Sequence, residues 1–171
     1  MKPLSIIRTA ALIALVWLTN FPIAMAGALT DHAENKLVDC LFRGQSCSIP
    51  ATWYVGLDTV ACTQAGGGTE VTGGSYARVA VTSSLANWAG TQSAGSTTAS
   101  TGTNGTTSNN AAITLPAPTA TWGTVVSYRL WDSSTGGNAW LCSPLTTNRT
   151  ISNGDAAPLF PAGTLQVILN N

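Results

Sequence analysis

Tyr54–Thr82, YVGLDTVACTQAGGGTEVTGGSYARVAVT, reads as a strand, a glycine-punctuated loop and a second strand. Val79 and Val81 alternate with Arg78, Ala80 and Thr82, the period-two pattern of a half-buried strand. Upstream, Trp53, Val55 and Leu57 alternate with Thr52, Tyr54 and Gly56. The loop carries Gly66-Gly67-Gly68 and Gly73-Gly74, which permit tight reversals and bring no side-chain chemistry. It lacks the Lys-Ser/Thr of a phosphate-binding loop and opens no helix.

The same texture continues to the C-terminus. Val126, Tyr128 and Leu130 are expected on one strand face, with Ser127, Arg129 and Trp131 on the other. Gly136-Gly137-Asn138 is a hairpin turn into Ala139–Cys142, and Asn153-Gly154-Asp155 is a second turn. Leu165, Val167 and Leu169 form a closing apolar strand. Short strands with regular turn signals predict a mainly β chain, an antiparallel β-sandwich of jelly-roll-like form. One short N-terminal α-helix precedes it, over about 30–43. Thr30 or Asp31 caps it, Ala33, Leu37, Val38 and Leu41 form its apolar stripe, and Gly44 ends it. That stripe serves either to pack the helix on the domain or to dock a neighbouring subunit.

With 171 residues the expectation is a single domain over 27–171. Within it, about 88–110 is polar and repetitive, centred on TQSAGSTTASTGTNGTTSNN, and reads as a flexible surface loop. Residues 1–26 have the three parts of a secretory signal: Lys2 and Arg8, the apolar run Ala10–Leu18, and Ala24-Met25-Ala26 for cleavage. The run is too short to span a bilayer, so no stable membrane insertion is expected. The other reading starts the protein at Met25 and makes the upstream residues a spurious extension.

Only 8% of residues are charged, about a third of the usual share, and the formal net charge is zero. A nucleic-acid binder needs a basic face, which this composition does not supply. Cys40, Cys47, Cys62 and Cys142 allow two disulfides in three pairings if the chain is exported; in a reducing compartment they would be small buried apolar residues. Cys40 with Cys47 would clip the helix end to the next turn, and Cys62 with Cys142 would join distant β segments. No CxxC pair suggests zinc, and no metal or cofactor is expected.

Catalytic chemistry finds no support. The single histidine, His32, sits at the helix start, where no nucleophile motif converges on it. Asp58, Glu70, Asp132 and Asp155 all lie near turns, where aspartate satisfies local amides, and nothing pairs two of them as a glycosidase requires. The tryptophans offer the only binding route. Trp53 and Trp122 read as structural. Trp88, beside the polar loop, and Trp131, sharing a face with Arg129, are the candidates for stacking on a cell-surface glycan.

Tyr54–Thr82 resembles a family of small phage tail-fibre-like, or virion surface, structural proteins. LTDHAENKLVDCLFRG at 29–44, TWGTVVSYRLWDSSTGGNAWL at 121–141 and LTTNRTISNGDAAPLFPAGTLQVIL at 145–169 extend the resemblance over most of residues 29–169. It implies a non-enzymatic virion component, tail-fibre-associated or capsid-decorating, that contacts other virion proteins and works as a homo-oligomer, a trimer by analogy. The leader, the four cysteines, the extra tryptophans and the long polar loop depart from the family pattern. Those departures support the other reading, a secreted, disulfide-containing β-sandwich module that binds glycans in the periplasm or outside the cell.

Overall fold

The computed structural model describes residues 28–90, 98–101 and 105–169; the leader reading of 1–26 lies outside them. Ten strands and one helix follow in order: β1 (Ala28–Leu29), α1 (Asp31–Phe42), β2 (Thr52–Val60), β3 (Thr69–Glu70), β4 (Val79–Thr82), β5 (Thr106–Ser108), β6 (Ile113–Thr114), β7 (Gly123–Trp131), β8 (Ala139–Ile151), β9 (Leu159–Phe160) and β10 (Gln166–Ile168). All pairings between them are antiparallel.

The main sheet runs β1-β8-β7-β2, and the far edge of β2 is shared by β4 along Thr52–Val55 and β3 beyond it. Two ribbons, β5–β10 and β6–β9, contribute to the same core as the main sheet. Val55 and Leu57 of β2 oppose Leu130 and Tyr128 of β7, and Leu130 opposes Leu141 of β8, so one face of the sheet is continuously apolar. Ile113, Phe160, Leu165 and Val167 from the ribbons complete the cluster against it. Tyr128 meets Phe160 edge to face, and its hydroxyl donates to the Gln166 carbonyl at 2.8 Å. Burial, eased by a hydrogen bond with Ser143, pushes the Tyr128 hydroxyl up to about 12. The described chain is thus mainly β, with antiparallel sheets and one helix, as expected, its second layer made of two-stranded ribbons.

Two bulges reset the alternation read from sequence. The register of β7 on β8 shifts between Val125 and Ser127, so Val125 is fully buried in the core while Val126 is only partly buried. A second shift between Leu130 and Trp131 pairs Trp131 with Ala139 and leaves Trp140 as the extra residue.

The polar stretch expected as a surface loop enters the fold from Thr106 onward. Thr106–Ser108 pairs with Gln166–Ile168, and Trp88 bridges to Asn109. Asn109 is buried. Its amide nitrogen donates to the Ala111 and Pro161 carbonyls at 2.8 Å, and its side-chain oxygen accepts from Leu165 N at 2.9 Å. A short polar residue can sit in a core when each of its bonding groups is met, which composition alone does not reveal.

α1 is capped by Thr30, whose hydroxyl accepts from Ala33 N at 3.4 Å and donates to the Ala139 carbonyl at 2.6 Å. The helix therefore hangs from β8. Of its apolar stripe only Ala33 is buried; Leu37 is half-buried, and Val38 and Leu41 are exposed.

Candidate functional site

Two disulfides, Cys40–Cys47 and Cys62–Cys142, use all the cysteines among the described residues. The first joins the last turns of α1 to the segment leading into β2. The second ties the glycine loop to β8 across the face of the sheet opposite the core. Cys62 N donates to Ser127 Oγ at 3.2 Å alongside it.

That second face carries a cluster of charges. Asp58 of β2 and Arg129 of β7 form a buried ion pair: Arg129 Nε donates to Asp58 Oδ2 at 2.9 Å, and Arg129 Nη2 reaches Asp58 Oδ1. Burial raises the Asp58 carboxyl above its ordinary value, and the pull of Arg129 in the other direction is the smaller effect. Glu70 of β3 takes Arg78 in two parallel bonds, Nε to Oε1 and Nη2 to Oε2, both 2.7 Å. Arg78 Nη1 also donates to the Ser133 and Gly136 carbonyls at 2.7 and 2.8 Å, gripping the β7–β8 turn.

The Trp131 ring lies beneath both guanidinium groups, 3.7 Å from Arg78 and 4.3 Å from Arg129. Tyr76 bridges the cluster to the backbone, its hydroxyl donating to Glu70 Oε1 at 2.9 Å and accepting from Leu57 N at 2.7 Å. Burial, with further help from the Glu70 charge, drives that hydroxyl far above its ordinary range. Gly56 makes the assembly fit: a Cβ there would lie 2.9 Å from Glu70 Oε1 and 3.0 Å from Trp131 Nε1.

The sequence pairing of Trp131 with Arg129 is thus real, but its geometry is inward. Arg129 is 5% exposed and committed to Asp58. The half-buried Trp131 has guanidinium groups where a sugar would stack, and its indole N–H has no partner. Asp132, in the adjoining turn, accepts from Asn138 N at 2.7 Å, Asn138 Nδ2 at 3.0 Å and Trp140 Nε1 at 3.3 Å. Partial desolvation opposes ionisation there, yet these bonds together hold its carboxyl below the ordinary value.

Trp88 lies elsewhere, in a groove of about 560 Å³ where α1 and the chain after β4 meet the apolar sheet face. Trp53, Trp88 and Trp140 line it with Leu37, Leu85 and Leu169. Trp140 meets Trp53 edge to face at 5.6 Å and His32 at 5.3 Å. Among the described residues, none that lines the groove is charged. Its wall is mostly apolar, with the hydroxyl side chains of Ser83, Ser84, Ser100 and Thr107 set among the aromatic rings and the Trp88 indole N–H without a partner among the described residues. The sequence reading named Trp88 but did not join it to Trp53, which read as structural, or to Trp140, because the three lie on separate segments. The local signal was the spacing of Leu85 and Trp88, three residues apart in a short turn in which Trp88 N donates to Ser84 O.

Among the described residues no group of three His, Cys, Asp or Glu is arranged to hold a metal ion, and no helix is long and apolar enough to cross a membrane. His32 packs on Trp140, while Asp58 and Glu70 are each bound to an arginine. The architecture is therefore that of a β-rich chain in which two ion pairs, Asp58–Arg129 and Glu70–Arg78, cross-link one sheet face. Residues 28–168 match the family model described as podophage GP4 fiber I protein gp80, and the chain belongs to that family. It is a phage structural protein. No curated protein matches the chain.

Proposed function

We propose that this protein is a non-enzymatic component of a phage fibre, attached to other virion proteins and exposed on the particle. The carrying observation is the family match across residues 28–168, which includes every described strand and the helix. The internal pairing of Asp58 and Glu70 supports the non-enzymatic part, because a carboxylate locked to arginine is poorly placed to exchange protons with a substrate. Fibre attachment is favoured over capsid decoration by the family's description alone. Immunogold labelling of purified particles tests it: label along fibres is expected, and particles without label, or labelled only on the capsid shell, overturn it.

We also infer passage through an oxidising compartment. Two disulfides among the described residues are the support, since such bonds persist where thiols are not kept reduced. Intact mass of native material should correspond to a chain beginning at Gly27 and lacking four hydrogens. A chain that retains Met1, or one starting at Met25 with four free thiols, removes the export reading.

A further inference from the structure

We infer that the C-terminal end of α1 from one copy of the chain seats in the apolar groove of a second copy. This extends the assembly reading above by naming the partner and the two surfaces. Leu41 and Phe42 are 67% and 82% exposed, on the last turn of a helix whose end is fixed by the Cys40–Cys47 disulfide. A large apolar knob held rigid in this way loses little freedom on binding.

The groove is its counterpart. Its rim residues Ile49, Leu85 and Leu169 are each at least half exposed, so its apolar wall continues onto open surface. Charge matches as well. The described residues of the groove present none, and the charges beside the knob, Asp39 and Arg43, cancel in an ion pair of 3.1 Å. A phosphate, an acidic peptide or a basic peptide would find no counter-charge in such a groove, whereas an uncharged Leu-Phe pair loses nothing by entering it.

The helix cannot satisfy its own groove. Leu37 already forms part of the wall, and Phe42, more than a turn further along, projects away from it into solvent. The contact therefore runs between copies. Knob and groove are different surfaces, so the contact is either made twice across a two-fold axis or repeated head to tail in a ring or an open array.

The test compares wild type, Phe42→Asp and Leu85→Asp by light scattering on the oxidised chain, with thermal melts alongside. Both substituted side chains are exposed, so both variants should melt with wild type. Wild type should associate at micromolar to millimolar concentration, and each variant should weaken association about thirtyfold or more. An equimolar mixture of the two variants should regain pairs and stop there, because each pair retains one sound knob facing one sound groove. Wild type that stays monomeric at about 1 mM, variants that associate as wild type does, or a mixture that forms no pairs each overturn the inference. Particle labelling is unaffected by any of these outcomes, so the fibre reading stands or falls separately.

Discussion

Removing Arg129 tests the physics of the second sheet face most directly. Its side chain and that of Asp58 are 7% and 1% exposed, which places the pair in the regime where losing one partner strands a charge without water. Breaking such a pair typically costs about 3–5 kcal/mol. Arg129→Met preserves most of the aliphatic volume and removes the charge, the bonds to Asp58 and the contact over Trp131. The stranded Asp58 has an escape, because it can bind a proton. Its carboxyl is already raised by burial, and without the opposing pull of Arg129 it rises further. A carboxyl whose folded value is raised binds its proton more tightly in the native state than in the unfolded chain. Stability then increases as pH falls through the folded value and decreases as pH rises through it. Arg129→Met should therefore lose about 3–5 kcal/mol at pH 8 and distinctly less at pH 5. Asp58→Asn leaves a guanidinium that cannot shed its proton, so its loss should be of similar size and nearly independent of pH over the same interval. The double variant should recover part of the sum, with a coupling of about 1–3 kcal/mol. Urea unfolding with the disulfides intact measures all three. A loss under about 1 kcal/mol for Arg129→Met, or an equal loss at both pH values, refutes this account of the pair.

Gly56→Ala should destabilise by about 1–3 kcal/mol in thermal or urea melts, because the new methyl meets Glu70 Oε1, Trp131 Nε1 and the Tyr76 hydroxyl within 3.2 Å. Removing Cys62–Cys142, which spans 80 residues, should cost about 4–5 kcal/mol by chain entropy, against about 2–3 for Cys40–Cys47, which spans seven; paired serine variants compared by urea unfolding check the ranking. Replacing residues 91–97 by an equally long Gly/Ser segment should leave the melt nearly unchanged, whereas Asn109→Ala should lose about 2–4 kcal/mol by stranding Leu165 N and several carbonyl groups.

How much of this was legible beforehand depends on the range of the interaction concerned. The capped helix, the period-two strands on either side of the glycine loop and the Gly136-Gly137-Asn138 hairpin are local patterns. Backbone geometry and amphipathicity over a few residues suffice to specify them, and the structure contains each one.

Tertiary structure alone decided the rest. A bulge is an extra residue opposite a partner strand, so Val125 replacing Val126 in the core could not be read from one strand in isolation. Arg129 read as a ligand contact because it shares a strand face with Trp131. Here the glycine loop folds back over that face, and Asp58 and Gly67 meet the guanidinium from residues more than sixty positions away. Asn109 belonged to a polar tract by composition and became a core residue because the chain on either side of it brought matching donors and acceptors. The groove arose in the same way: Trp53, Trp88 and Trp140 come from separate segments, and only their convergence beside α1 makes them the wall of one surface. Sequence fixes what each short segment prefers, but which distant groups share one low-dielectric space is settled by the packing of those segments against each other.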